Sequence, residues 1–235
     1  MESGGVTLIT PTGGRPAAFV LCKKYVLRQT YHTPIQWIIV DDGDPSTIQT
    51  DFQLDTLATI LYPKPKWQSG QNTLARNILA ALPEIQYNRI LFIEDDDWYS
   101  PEYLEFMCKM LEKHEIVGET PARYYHIPFR QYRLLPNAHH ASLCQTGIRF
   151  CLLHRLQKIC QRPSATFIDV QLWEGMSVAG LSKEPGHCVG IKGLPGRPGI
   201  GVGHRPEGES DWKQDPDLSV LKIWVGKEDA EAYYG

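Results

Sequence analysis

The chain has no closely spaced cysteine pair, no long apolar run and no excess of basic charge, and each lack removes a class of protein. Its six cysteines (Cys22, Cys108, Cys144, Cys151, Cys160, Cys188) are scattered without a CxxC pair, which argues against a zinc ribbon and for reduced core thiols. No apolar stretch approaches membrane-spanning length, and Met1-Glu-Ser-Gly-Gly lacks a charged region followed by a hydrophobic one. The expectation is a cytoplasmic protein with no membrane partner. A net charge of −3 gives no global field for nucleic acid, although it leaves room for a local patch. There is no repeat or low-complexity tract, and 235 residues suit one domain with a full core.

What is present is concentrated in one run, Arg89-Ile-Leu-Phe-Ile-Glu94-Asp95-Asp96-Asp97-Trp98. Four acids follow an apolar segment that reads as a buried strand. Unpaired carboxylates are costly to bury, so the cluster belongs at the strand's exposed end. Adjacent like charges call for a cation, and hard divalent ions take carboxylate oxygen. A solvated acidic turn is the plainer alternative.

The first half alternates strand-like and helix-like segments. Strands are expected at Val6–Thr10, Trp37–Val40, Thr59–Tyr62 and Ile90–Ile93, and helices after Pro16, from Gly70 to Leu82 and from Pro101. Short apolar strands separated by helices imply a mainly parallel α/β sheet with helices on both faces. Ligands bind such sheets at the carboxyl ends of the strands, so the turns after Thr10, Val40 and Ile93 should share one edge. In the second half, 123–129 and 131–135 read as a hairpin, and Leu152–Cys160 and Ile168–Trp173 as helical. Residues 186–208 are rich in glycine and proline and read as a mobile loop outside the core. The tail after Asp211 is amphipathic and suits a final helix or a cover for a neighbouring surface.

Four stretches, VTLITPTGGRP, WIIVDDGDPSTIQ, GQNTLARN and ILFIEDDDWYSPEYL, in this order across residues 6–110, resemble glycosyltransferases of the GT-A fold and family-2 type. FIDVQLW at 167–173 resembles the family's acceptor-side acidic motif, with Ile168 where that motif has Glu. The resemblance implies a single-domain Rossmann-like mixed sheet and inverting transfer of a hexose or pentose from a nucleotide diphosphate, with UDP the expected nucleotide. It implies a nucleotide-sugar-binding half at 1–110, an acceptor-binding and catalytic half with a glycine-rich closing loop at 111–205, and a tail at 206–235. Pro11, Thr12, Gly13 and Arg15 would line the nucleotide turn, with Asp41 and Asp42 at the base and ribose. A helix-capping turn is the plainer reading of that acidic pair. Arg76 would face the nucleotide, unless it is an ordinary surface arginine.

In the acidic run the resemblance puts Asp95 beside the ribose and Asp96 on Mn²⁺ or Mg²⁺, with Asp97 the alternative ligand. His204 would join the metal or diphosphate, and Lys192, Arg197 and Arg205 would close on the diphosphate. Asp169 would be the general base, helix capping being the alternative. Residues 123–140 interleave aromatic and basic side chains, a pattern that can stack on sugars or bases and hold phosphates. The acceptor is therefore open between glycan, protein and hydroxylated DNA base, the last making a DNA glycosyltransferase. A sugar nucleotidyltransferase and a non-catalytic nucleotide-sugar-binding protein are the rival classes. The first needs a longer glycine run than Thr12-Gly13-Gly14-Arg15-Pro16 offers.

Overall fold

A computed structural model describes residues 2–48, 57–162, 166–199, 204 and 211–234. Its centre is a seven-stranded sheet. Strands β1 (Glu2–Thr12), β2 (Ile35–Asp41), β3 (Leu57–Leu61) and β4 (Tyr87–Phe92) lie in the order β4-β1-β2-β3, all parallel. A second, five-stranded sheet leaves from β4 through β5 (Trp98–Tyr99). On its far side β4 is joined by β9 (Thr146–Arg149), antiparallel, and beyond it by β6 (Ile116–Glu119) and β10 (Leu181–Ser182). The second sheet pairs β5 with β11 (Cys188–Lys192), then the hairpin β7 (Ala122–His126) and β8 (Gln131–Leu135), then β12 (Lys213–Gln214). The acidic run is thus the crossover from one sheet to the other.

Alternation along the strands explains the layers. Leu8, Trp37, Ile39 and Leu91 face one core cluster, while Ile9, Ile38, Val40, Ile90 and Phe92 face the other. Helices α1 (Pro16–Leu27) and α3 (Tyr103–Leu111) cover the first face, where Phe19 stacks on Trp37 at 5.8 Å. The second face takes α2 (Leu74–Ala81), α4 (Leu153–Cys160) and α5 (Ile168–Trp173). Five of the six cysteines are buried, and all are free thiols. No helix among the described residues is long and apolar enough to cross a membrane.

Register delivers the expected shared edge. Thr12 lies opposite Asp41, and Ile93 N–H donates to the Ile9 carbonyl at 3.0 Å, so the three polar turns leave the sheet together. Other expectations need correction. β1 begins earlier than Val6, and α2 begins at Leu74 rather than Gly70, whose φ of 84° is left-handed. The 186–208 segment contains a core strand: Cys188–Lys192 is buried throughout, and Gly190 lets β11 lie against the Tyr124 ring, where a Cβ would come within 2.4 Å. The glycine needed for that contact gave the segment the look of a loop. The tail forms α6 (Ser219–Val225) and α7 (Lys227–Ala232), anchored where Asp229 accepts from Trp98 Nε1 at 2.6 Å and pairs with Lys24 at 2.9 Å.

Candidate active site

The turn after β1 makes the first wall. Gly13 lies so close to the second turn that a Cβ there would sit 2.3 Å from Asp42 Oδ1. Pro16 opens α1, leaving Arg15 at its N-cap with the guanidinium turned to the acidic run. Arg15 Nη1 is 2.9 Å from Asp95 and 3.1 Å from Asp96, while Thr12 Oγ1 donates to Asp95 at 2.7 Å. Burial works against the Arg15 charge, but Asp95 and Asp96 outweigh it and hold the group protonated.

The acidic pair after β2 divides its labour. Asp41 accepts from Gly43 N–H, Thr47 N–H, Ile48 N–H and the Ser46 hydroxyl, which saturates the roughly four acceptor sites of a carboxylate. It shapes its own turn, outside the cavity lining. Asp42 accepts from Arg76 Nη2 (2.8 Å), Asn77 Nδ2 (2.9 Å) and Arg197 Nη1 (2.8 Å), and it too is fully buried, behind the cavity lining. Arg76 is therefore no idle surface arginine. It ties α2 to this turn, and Nη1 also donates to the Pro65 carbonyl.

The acidic run separates as sharply. Asp97 is wholly buried and takes Ile191 N–H at 2.9 Å and Lys192 Nζ at 3.1 Å on one oxygen. Through that oxygen it braces β11 behind the cavity wall, while its Oδ2 is buried without a hydrogen-bond partner among the described residues. Glu94, Asp97 and Cys144 bring ligand-type atoms within 4.8 Å of one another, but Lys192 already supplies the charge a cation would bring there. Lys192 itself is a β11 residue buried at the cavity floor, not part of a mobile loop.

Asp96 faces the cavity with Arg15, Lys192 (4.0 Å) and His204 (3.8 Å) around it. Burial would raise its carboxyl, but Lys192, Arg15 and His204 bring it down to about 2, so it is anionic at neutral pH. Burial first, then Lys192, depresses His204 to about 3, which keeps its imidazole neutral. A carboxylate oxygen and a neutral imidazole nitrogen 3.8 Å apart on one wall are a donor pair that suits Mn²⁺ or Mg²⁺ sharing its other positions with phosphate. The residues fit the metal that the resemblance implies.

Arg197 reaches the turn after β2 instead. Besides Asp42 it donates Nη2 to Thr73 Oγ1 at 2.7 Å, lies 4.6 Å over the Trp67 ring, and its N–H donates to the Gly14 carbonyl. Arg205 lies outside the described residues.

A cavity of about 510 Å³ joins these walls to a third. On that side Asp169, in the first turn of α5, shares the lining with Tyr124, Asn137, His140, Ser142 and Phe167. Burial pushes the Asp169 carboxyl up, against the Val170 N–H and His140, which favour its charge. The N-cap position of α5 is Phe167, and Asp169 is the second residue of the helix. The basic-aromatic stretch is dispersed. Arg123 is buried under Trp224, Arg130 donates to the Pro216 carbonyl, Arg133 pairs with Asp211, and of its aromatic and basic side chains only Tyr124 and His140 line the cavity. Asn77, Thr73 and Phe167 were missed as site residues, although Thr73 and Asn77 stand within the GQNTLARN stretch and Phe167 opens FIDVQLW.

No curated protein sequence shows significant similarity to the chain. Among solved structures it resembles S. aureus TarS 1–349 in complex with UDP-GlcNAc, at 13% identity and a TM-score of 0.59, over 82% of this chain. The mannosyltransferase PcManGT from Pyrobaculum calidifontis, in complex with GDP-Man and Mn²⁺, matches at 16% identity and a TM-score of 0.58. That match covers 99% of this chain and 70% of PcManGT, whereas the chain spans about 60% of TarS 1–349. Such likenesses establish the GT-A glycosyltransferase architecture. The sequence model of glycosyl transferase family 2 matches residues 7–167, more than half of the chain, and the protein belongs to that family.

Proposed function

We propose that the chain is a metal-dependent, inverting glycosyltransferase that moves a sugar from a nucleoside diphosphate, UDP in the first instance, to an acceptor hydroxyl. The supporting observation is that one cavity is lined by Asp96 and His204 on the strand-end side and by Asp169 on the other. Residues 1–110 form the donor half, 111–205 the acceptor half, and 206–235 a tail that braces α1.

Asp42 is buried behind Arg76, Asn77 and Arg197, and in this reading it acts on the uracil end by holding those donors in place. Thr12 and Asp95 would lie toward the ribose, and Asp96 with His204 would hold the divalent ion. When bound, that ion acts as a Lewis acid on the departing diphosphate. Arg15 and Lys192 add fixed positive charge at the same wall, in surroundings of low dielectric. Asp169 takes the proton of the acceptor hydroxyl as its oxygen attacks the anomeric carbon. The bond to the diphosphate breaks on the opposite face, and its electron pair leaves with the nucleotide. Burial makes Asp169 a stronger base than an exposed aspartate, which suits this role.

The test is UDP release from a panel of UDP-hexoses with Mn²⁺, with the anomeric configuration of the product read by NMR. Inverted product is expected. Retained configuration, or full turnover in excess chelator, overturns the mechanism.

A further inference from the structure

Phe167 occupies a position for which it is locally unsuited. It stands before the first residue of α5 with φ 50° and ψ 53°, left-handed backbone that a bulky L-residue rarely adopts. It provides no capping side chain for the helix, as Asn, Ser or Asp at that position would. Nor is it core, since 66% of it is exposed. Its ring instead stands at the lip of the cavity, two residues from Asp169, with the half-exposed Val170 beside it.

We infer that Phe167 is the acceptor platform: its ring stacks on the C–H face of a neutral sugar and holds that sugar's hydroxyl toward Asp169. The inference rests on the transfer reading above and adds the class of acceptor. An aromatic face beside short polar groups is how an amphipathic sugar ring is held, and Asn137, His140 and Ser142 line the same wall. Several arginines of this half are tied into the fold: Arg155 donates to the Gln171 carbonyl at 2.7 Å and Arg162 to Gln171 Oε1 at 2.5 Å, and Arg123, Arg130 and Arg133 make the internal contacts described above. The exposed ring with short polar neighbours favours a carbohydrate, and a hydroxylated DNA base is the rival outcome of the test.

The test is saturation-transfer NMR on the full chain with UDP, Mn²⁺ and a panel of methyl hexopyranosides. Wild type is expected to transfer saturation to one C–H face of a sugar. Phe167→Ala should lose that signal by roughly three- to tenfold, the scale of one aromatic contact, and Phe167→Trp should restore it. UDP affinity should be unchanged in both. Phe167→Gly should lose the sugar signal while its melting temperature holds or rises, because glycine accepts the left-handed backbone. A sugar signal undiminished in Phe167→Ala overturns the inference. So does a fall in melting temperature together with binding in Phe167→Gly, which would make the residue merely structural. Sugars silent while an oligonucleotide carrying hydroxymethylated cytosine responds would overturn the acceptor class. Failure of the wild type to bind UDP would remove the transfer reading itself, and this inference with it.

Discussion

Arg197 and Asp42 form an ion pair of 2.8 Å that fastens the glycine-rich segment to the turn after the second strand. The same guanidinium reaches Thr73 and covers Trp67, so one side chain joins three separate loops. Arg197→Ala is expected to speed amide exchange across 193–199 and to weaken UDP binding about tenfold, the scale of a lost charged hydrogen bond. Arg197→Lys should not restore either property, since a single ammonium cannot span Asp42 and Thr73 as the fork does. Restoration by lysine would reduce Arg197 to a point charge.

Asp41 and Asp42 are neighbours with separable roles. Asp41→Asn places two donor hydrogens where backbone N–H groups point, and should destabilise the fold by about 1–3 kcal/mol, measured by urea unfolding. Asp42→Asn should leave the Asp41 turn folded but loosen Arg76 and Arg197, lowering UDP affinity in calorimetry. Loss of UDP affinity in both variants at unchanged stability would mean that Asp41 meets the base after all.

Asp96 carries the metal prediction. Asp96→Asn should abolish most of the gain in UDP affinity that Mn²⁺ confers and leave metal-free affinity nearly unchanged. Calorimetry with and without Mn²⁺ reads this directly, and electron paramagnetic resonance follows the ion itself. Asp97→Asn is expected to act differently, lowering stability by unseating Lys192 and β11. If Asp97→Asn instead removes the metal effect at full stability, the assignment reverses.

The donor edge was legible because it rests on local chemistry. Strand alternation, the polar turns and the acidic run each follow from spacing within a few residues, and parallel register then brings Thr12, Asp41 and Ile93 to one side. The division of labour within each acidic group was not legible. That Asp41 is held by its own turn and Asp42 by Arg76, Asn77 and Arg197 depends on which groups fold back onto each, and whether Asp96 or Asp97 faces the cavity depends on Lys192 arriving from β11. Composition hid that strand, because Gly190 is required by the Tyr124 ring rather than by a turn. The basic-aromatic stretch misled for the opposite reason. Its pattern is real, but hairpin alternation and the tail helices turn most of its cations inward.

Glu119 gives the fold a pH dependence. It is fully buried on β6, where burial pushes its carboxyl up to about 7 against the His187 and Gly186 N–H groups and Arg123. The folded state thus favours the neutral acid more than the unfolded chain does. Stability should be greatest below the ordinary value of 4.5 and fall as pH rises from there to about 7. The loss is about 3 kcal/mol, at 1.4 kcal/mol per unit. Glu119→Gln mimics the protonated form and should flatten this slope in urea unfolding between those limits. A slope equally steep in the variant assigns the effect to other groups.

Asp169 separates binding from chemistry. Its electrostatic partners are the Val170 N–H and His140 rather than groups of the donor turns, so its replacement should leave the nucleotide end in place. Asp169→Asn keeps the shape and one hydrogen-bonding oxygen but cannot take a proton at neutral pH. Its kcat should fall roughly a hundredfold or more, the usual scale for loss of a positioned base, with UDP affinity within about twofold of wild type. The pH profile gives a second check, since a base raised by burial should place the acidic limb of kcat above the ordinary aspartate value of 3.8, and that limb should vanish in the variant. Near-normal transfer by Asp169→Asn would remove the base from this residue. A collapse of UDP affinity would place Asp169 on the donor side and reverse the orientation of the cavity.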